Sequence, residues 1–111
     1  MMLFLNWLTG VWFAIISVRR IHIFPSDSLP DTLPERDLIL AREDDEDWCV
    51  GMKCPCGCGD VIELLIVSEA RPRWDITIDR HGRPSLFPSV WKKSGCRSHF
   101  WVRNGKIEWC K

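Results

Sequence analysis

The stretch KCPCGCGD at positions 53–60 sets Cys54, Cys56 and Cys58 at alternate positions, with Gly57 and Gly59 beside them. Thiolates hold zinc tetrahedrally through bonds of about 2.3 Å, and a structural site takes four soft or borderline ligands. Alternation is tighter than the spacing of about two to four residues usual between paired ligands. The glycines relieve the crowding, because they enter the positive-φ backbone that curls a chain around an ion. A fourth ligand must come from elsewhere, and GCRSHF at 95–100 offers Cys96 and His99. Cys49 and Cys110 are poorer suppliers, since each falls in an expected strand. The competing readings are a disulfide framework and free or redox-active thiols. Alternate cysteines pair badly with one another, and nothing marks the chain as secreted, so disulfides fare poorly. The spacing favours a metal, with zinc ahead of an iron–sulfur cluster.

A second chemistry needs a hydroxyl and a base. Ser85 and Ser89 each follow a proline in RPSLFPSV, and Ser98 adjoins His99. A serine hydroxyl is a weak nucleophile at neutral pH and needs an adjacent base. If 98–103 is a strand, Ser98 and His99 point to opposite faces, which makes Ser98 a poor partner for the imidazole. Ser89 or Ser85, on a rigid proline-set loop, approaches His99 from across the fold. Spacing alone gives these serines a plainer role as turn residues capping backbone groups. His22 and His81 have no evident partner.

These residues must be positioned by a small scaffold. Length points to one domain, 21–111, after an apolar segment at 1–20. The chain carries seven tryptophans and no tyrosine, and Trp48, Trp74, Trp91, Trp101 and Trp109 are the expected core. RIHIF (20–24), DLILA (37–41), 48–52 and VIELLIV (61–67) read as strands, the last as a central one. WDITID (74–79) alternates, while PSDSLPDTLPERD reads as loop and PSLFPSVWKKSGC as irregular. SHFWVR, Asn104-Gly105 and KIEWC make a hairpin. The sum is a mainly β fold, a small antiparallel sheet with hairpins, zinc-stapled and preceded by an apolar helix.

Fifteen basic and fifteen acidic side chains cancel. The acids crowd between Asp27 and Asp47, and the bases lie from Arg71 onward, so the two halves are expected to meet and neutralise each other. A nucleic-acid face is disfavoured, because the bases are spread at loop-like intervals rather than clustered. Residues 2–18 sit near the lower limit of about 17–25 residues for a membrane helix. No basic residues precede this run and no small-residue cleavage site follows it, unlike a secretory signal. Arg19-Arg20 after it would keep the domain cytoplasmic, anchored to the inner membrane. A helix packed on the domain or a partner, and an extension from a mis-chosen start codon, are the other readings.

Taken in order, CPCGCGD, RPRW and PSLFPSVWKKSGCRSHFWVRNGKIEWC resemble a small bacterial cysteine-rich family filed as a domain of unknown function. Its genes lie beside those of ubiquitin-like proteins and their E1- and E2-like conjugation enzymes. The resemblance covers 21–110. It implies a peptidase that processes or deconjugates the ubiquitin-like protein by a serine mechanism on a zinc-stapled β scaffold. Carried over, the zinc falls to Cys54, Cys56, Cys58 and Cys96, and the hydrolytic pair to Ser89 (or Ser85) with His99. Asp60, Asp75 and Asp79 all qualify as an orienting carboxylate. The oxyanion would rest on the amides of 57–59 or on those near Ser89. Two alternatives stand: a metal with an open position that activates water itself, and a non-catalytic zinc module that docks a partner, at a membrane or elsewhere.

Overall fold

Apolar runs carry LILARE and EDWCVGMK into largely buried strands, and clean alternation carries VIELL into one with a single face turned inward. In the computed structural model, which describes residues 18–110, these are β2 (Leu38–Glu43), β3 (Glu46–Lys53) and β4 (Val61–Leu65). With β1 (Ile21–Phe24) they form one sheet in the order β1-β2-β3-β4. Asp44 and Asp45 turn the β2–β3 hairpin with φ of 55° and 60°, a left-handed pair that short hairpins need and Asp tolerates. The sheet is not wholly antiparallel: β1 runs parallel to β2, pairing Ile21 with Leu38. The proline-rich segment between them is a crossover long enough to bring the chain back in the same direction.

β4 is an edge strand, not a central one. Val61 and Leu65 face out with Glu63 between them, while Ile62 and Leu64 are buried. The stretch expected to be irregular holds two strands, β6 (Pro84–Phe87) and β7 (Val90–Trp91). Pro84 opens its strand and Pro88 lies between strands, positions where a missing N–H breaks no ladder. β6 pairs with β5 (Asp75–Ile78), and β7 pairs with β8 (His99–Arg103), which continues to β9 (Lys106–Trp109) through Asn104-Gly105.

Three small sheets therefore share one interior. Leu38, Leu40, Val50, Met52, Phe100 and Val102 are wholly enclosed, joined by Leu86 and Val90. The tryptophans do not form this core: Trp91 and Trp109 are more than half exposed, and Trp74 packs against it only in part. Aliphatic side chains, with Phe100 and Met52, fill the interior instead. Backbone bonds tie the sheets together, from Gly105 N to Pro84 O (2.8 Å), Ile21 N to Gly82 O (2.9 Å) and Trp74 N to Leu65 O (2.9 Å).

Among the described residues, the ion pairs do not join the acidic segment to the basic half. Acids of the 27–47 segment pair with His22, Arg42 and Lys53. Arg73, Arg83 and Arg103 take the nearby Asp75, Asp79 and Glu108. The described residues contain no helix, and 18–20 are not helical. No helix among them is long and apolar enough to cross a membrane, and the apolar run before residue 18 lies outside them.

Candidate active site and metal centre

The cysteine turn is closed by its own backbone. Cys54 N–H donates to Asp60 O (2.8 Å) and Gly57 N–H to Cys54 O (3.2 Å), with Gly57 and Gly59 at φ of 89° and 88°. Across the fold, the loop between β7 and β8 brings up Cys96. Lys92 and Asp60 join that loop to the turn by an ion pair of 2.5 Å. The pair lowers the Asp60 carboxyl below its usual range and raises the Lys92 ammonium.

The four sulfurs of Cys54, Cys56, Cys58 and Cys96 lie within 4.8 Å of one another. Cys54 Sγ is 3.4 Å from Cys56 Sγ and 3.6 Å from Cys96 Sγ. A tetrahedron with bonds of about 2.3 Å has edges of about 3.8 Å, so the donor set fits a zinc-sized ion. Their acidity points the same way. Ser98, first through its hydroxyl and then its N–H, holds Cys96 down to about 6. At Cys58 the Asp60 amide favours the thiolate, but the Cys56 sulfur and then burial push the thiol up to about 12. Thiols this close to one another cannot all ionise without a counter-charge, which a divalent cation supplies. His99 is not in the quartet.

The imidazole stands elsewhere. His99 Nε2 lies 2.9 Å from Ser89 Oγ. β7 brings the two together. Its register sets Trp91 opposite His99, and burial of Val90 and Phe100 turns Ser89, Trp91, His99 and Trp101 to the outer face. Trp74 Nε1–H donates to the Ser89 carbonyl (3.3 Å), fixing the backbone that carries the hydroxyl. Trp91 stacks on the imidazole with ring centres 4.9 Å apart and planes 13° apart, and Lys93 sits over the same indole.

Ser85 is placed differently. Its hydroxyl accepts from Asn104 N–H (2.9 Å) and so caps the β8–β9 turn. The three candidate carboxylates also have other partners: Asp60 holds Lys92, Asp75 holds Arg73, and Asp79 holds Arg83 and the amides of its own turn. In their place an aromatic ring steadies the imidazole. The sequence suggested Trp91 only for the core and Ser98 only as a poor partner for His99; in the structure the buried Ser98 hydroxyl lies 3.1 Å from Cys96 Sγ and 3.6 Å from Cys54 Sγ. The Cys-x-Ser spacing was the available signal, because alternate residues share a side of an extended chain.

A small, mainly β protein with a cysteine quartet and, one residue beyond its Ser98 neighbour, a hydrogen-bonded serine–histidine pair has the parts of a stapled hydrolase. Residues 25–110 match the family model described as bacterial ubiquitination-like system serine protease (BubE), and the chain belongs to that family. No curated protein and no solved structure matches it.

Proposed function

We propose that this protein is a serine peptidase that cleaves after the carboxyl-terminal glycine of a bacterial ubiquitin-like protein, with Ser89 as nucleophile and His99 as general base. The observation that carries the reading is the 2.9 Å approach of Ser89 Oγ to His99 Nε2 in a member of a serine protease family. For Nε2 to accept, the ring proton must sit on Nδ1. Ser89 Oγ then attacks the substrate carbonyl carbon as its proton passes to Nε2. Collapse of the tetrahedral intermediate breaks the C–N bond, and Nε2–H protonates the leaving amine. Water, deprotonated by the same nitrogen, releases the acyl group and restores the hydroxyl. Of the two amide sets expected at the oxyanion, Gly57 N–H is held by the Cys54 carbonyl, which favours the amides near Ser89.

Cys54, Cys56, Cys58 and Cys96 would hold zinc. Four thiolates close its coordination, so the ion supplies structure rather than an activated water. That closed donor set is why the serine route is preferred here.

Ser89→Ala and His99→Ala are each expected to reduce processing of the ubiquitin-like substrate by at least about 10³-fold, with metal content and melting temperature unchanged. Processing at the original rate in both variants overturns the mechanism. Full-length Ser89→Ala that still serves the conjugation pathway would favour the other reading, a docking module.

A further inference from the structure

Among the described residues, Arg19 and Ser98 are the polar or charged residues that are buried, and Ser98 lies where the two sites meet. Its hydroxyl sits between two sulfurs, 3.1 Å from Cys96 Sγ and 3.6 Å from Cys54 Sγ. Its carbonyl accepts Lys92 N–H at 2.8 Å, the bond that continues the β7–β8 ladder beyond the Trp91–His99 pair into the loop that carries Cys96. Its own peptide bond leads to His99. We propose that Ser98 is the positioning residue that joins the four-sulfur cluster to the Ser89–His99 pair, so that filling the cluster sets the geometry of the pair. The coupling to catalysis rests on the serine-peptidase reading above, whereas the contact with the sulfurs stands independently of it.

The physical argument is one of directions. A hydroxyl carries one hydrogen, and once the thiols are ionised the nearer sulfur, that of Cys96, is its natural acceptor. Donation fixes the Ser98 rotamer. Because β8 begins at the next residue, a fixed Ser98 also fixes where the imidazole leaves the backbone. The Lys92 bond transmits the same constraint to the strand opposite, where Trp91 stacks on that imidazole. Lys92 in turn grips Asp60 at the far end of the cysteine turn, so the segment is held at two points. Groups that hydrogen-bond to metal ligands commonly alter metal affinity or activity by about 10- to 100-fold when removed.

The test uses the full chain as wild type, Ser98→Ala and Ser98→Thr, each loaded with zinc or cobalt(II). Losing a donor to a thiolate raises electron density on sulfur. The sulfur-to-cobalt charge-transfer band is therefore expected to move to longer wavelength in Ser98→Ala and to return in Ser98→Thr. Zinc-loaded Ser98→Ala is expected to react with a fluorophosphonate probe, and to turn over substrate, about 10- to 100-fold more slowly with KM unchanged. A wild-type band together with a wild-type labelling rate in Ser98→Ala overturns the proposal. Should that variant not fold, the wild-type protein decides: exchange of zinc for the larger cadmium ion is expected to change the labelling rate, and no change overturns it. Probe labelling that survives Ser89→Ala would instead sink the peptidase reading, and the band shift alone would then decide the role of Ser98.

Discussion

At the scale of single residues, the carboxylates Asp60, Asp75 and Asp79 are engaged away from the candidate pair. Trp91 covers one face of the His99 ring, and Trp74 fixes the Ser89 carbonyl. The acids that sequence order offered for that role have structural work instead, and Asp79 shows what kind. It accepts from the amides of Arg83 and His81 and from the Arg83 guanidinium, which depress its carboxyl to about 2. An unfolded Asp titrates near pH 3.9, so the charge stabilises the fold fully above about pH 4, and this is lost as pH falls through about 2. Asp79→Asn keeps the shape and removes the charge. Its melting temperature is expected to lie below that of the wild type at pH 7, with the gap narrowing below about pH 4. A gap independent of pH would contradict the assignment.

At the scale of elements, turns do much of the positioning. Gly105 has φ of 76°, and a Cβ there would strike the Arg19 carbonyl, whose residue also donates its N–H to Gly105 O at 2.7 Å. Gly105→Ala is therefore expected to cost about 1 kcal/mol or more by urea unfolding, and a neutral result would argue against this close approach. Asn104-Gly105 was legible as a hairpin because its chemistry is local. So was the cysteine turn, set by neighbours in sequence. The parallel β1–β2 pairing was not legible, since nothing in IHIF states which strand it joins or in which direction. VIELLIV looked central through its apolar content, although Glu63 between Ile62 and Leu64 already marked an outer face. β6 and β7 were hidden by their prolines, which suit strand starts as well as loops. Hence Ser89 and His99 could be named as candidates from order and resemblance, while the ladder that joins them and the stacked Trp91 emerge only in the folded chain.

At the scale of the whole molecule, three short sheets share an interior of mostly aliphatic side chains, and its small size leaves little to hold the long loops. Phe100, fully enclosed, contributes much of what there is, and Cys54 reaches the same cluster from the cysteine turn. On the proposed reading the quartet replaces missing core by joining loops 42 residues apart, Cys54 to Cys96. Removing zinc with a strong chelator is expected to lower the melting temperature by well over about 10 °C, and restoring zinc to recover it. A melt indifferent to chelation would show that the interior suffices alone.

The contact between Trp91 and His99 also has an optical consequence. Indole emission is quenched by an imidazolium held against the ring, far more than by the neutral form. A protein with Trp91 stacked at 4.9 Å thus carries an unlabelled fluorescent gauge of the charge on the His99 ring. The difference in emission between the native chain and Trp91→Phe isolates that signal from the other indoles, and on the proposed mechanism it would follow the proton during turnover.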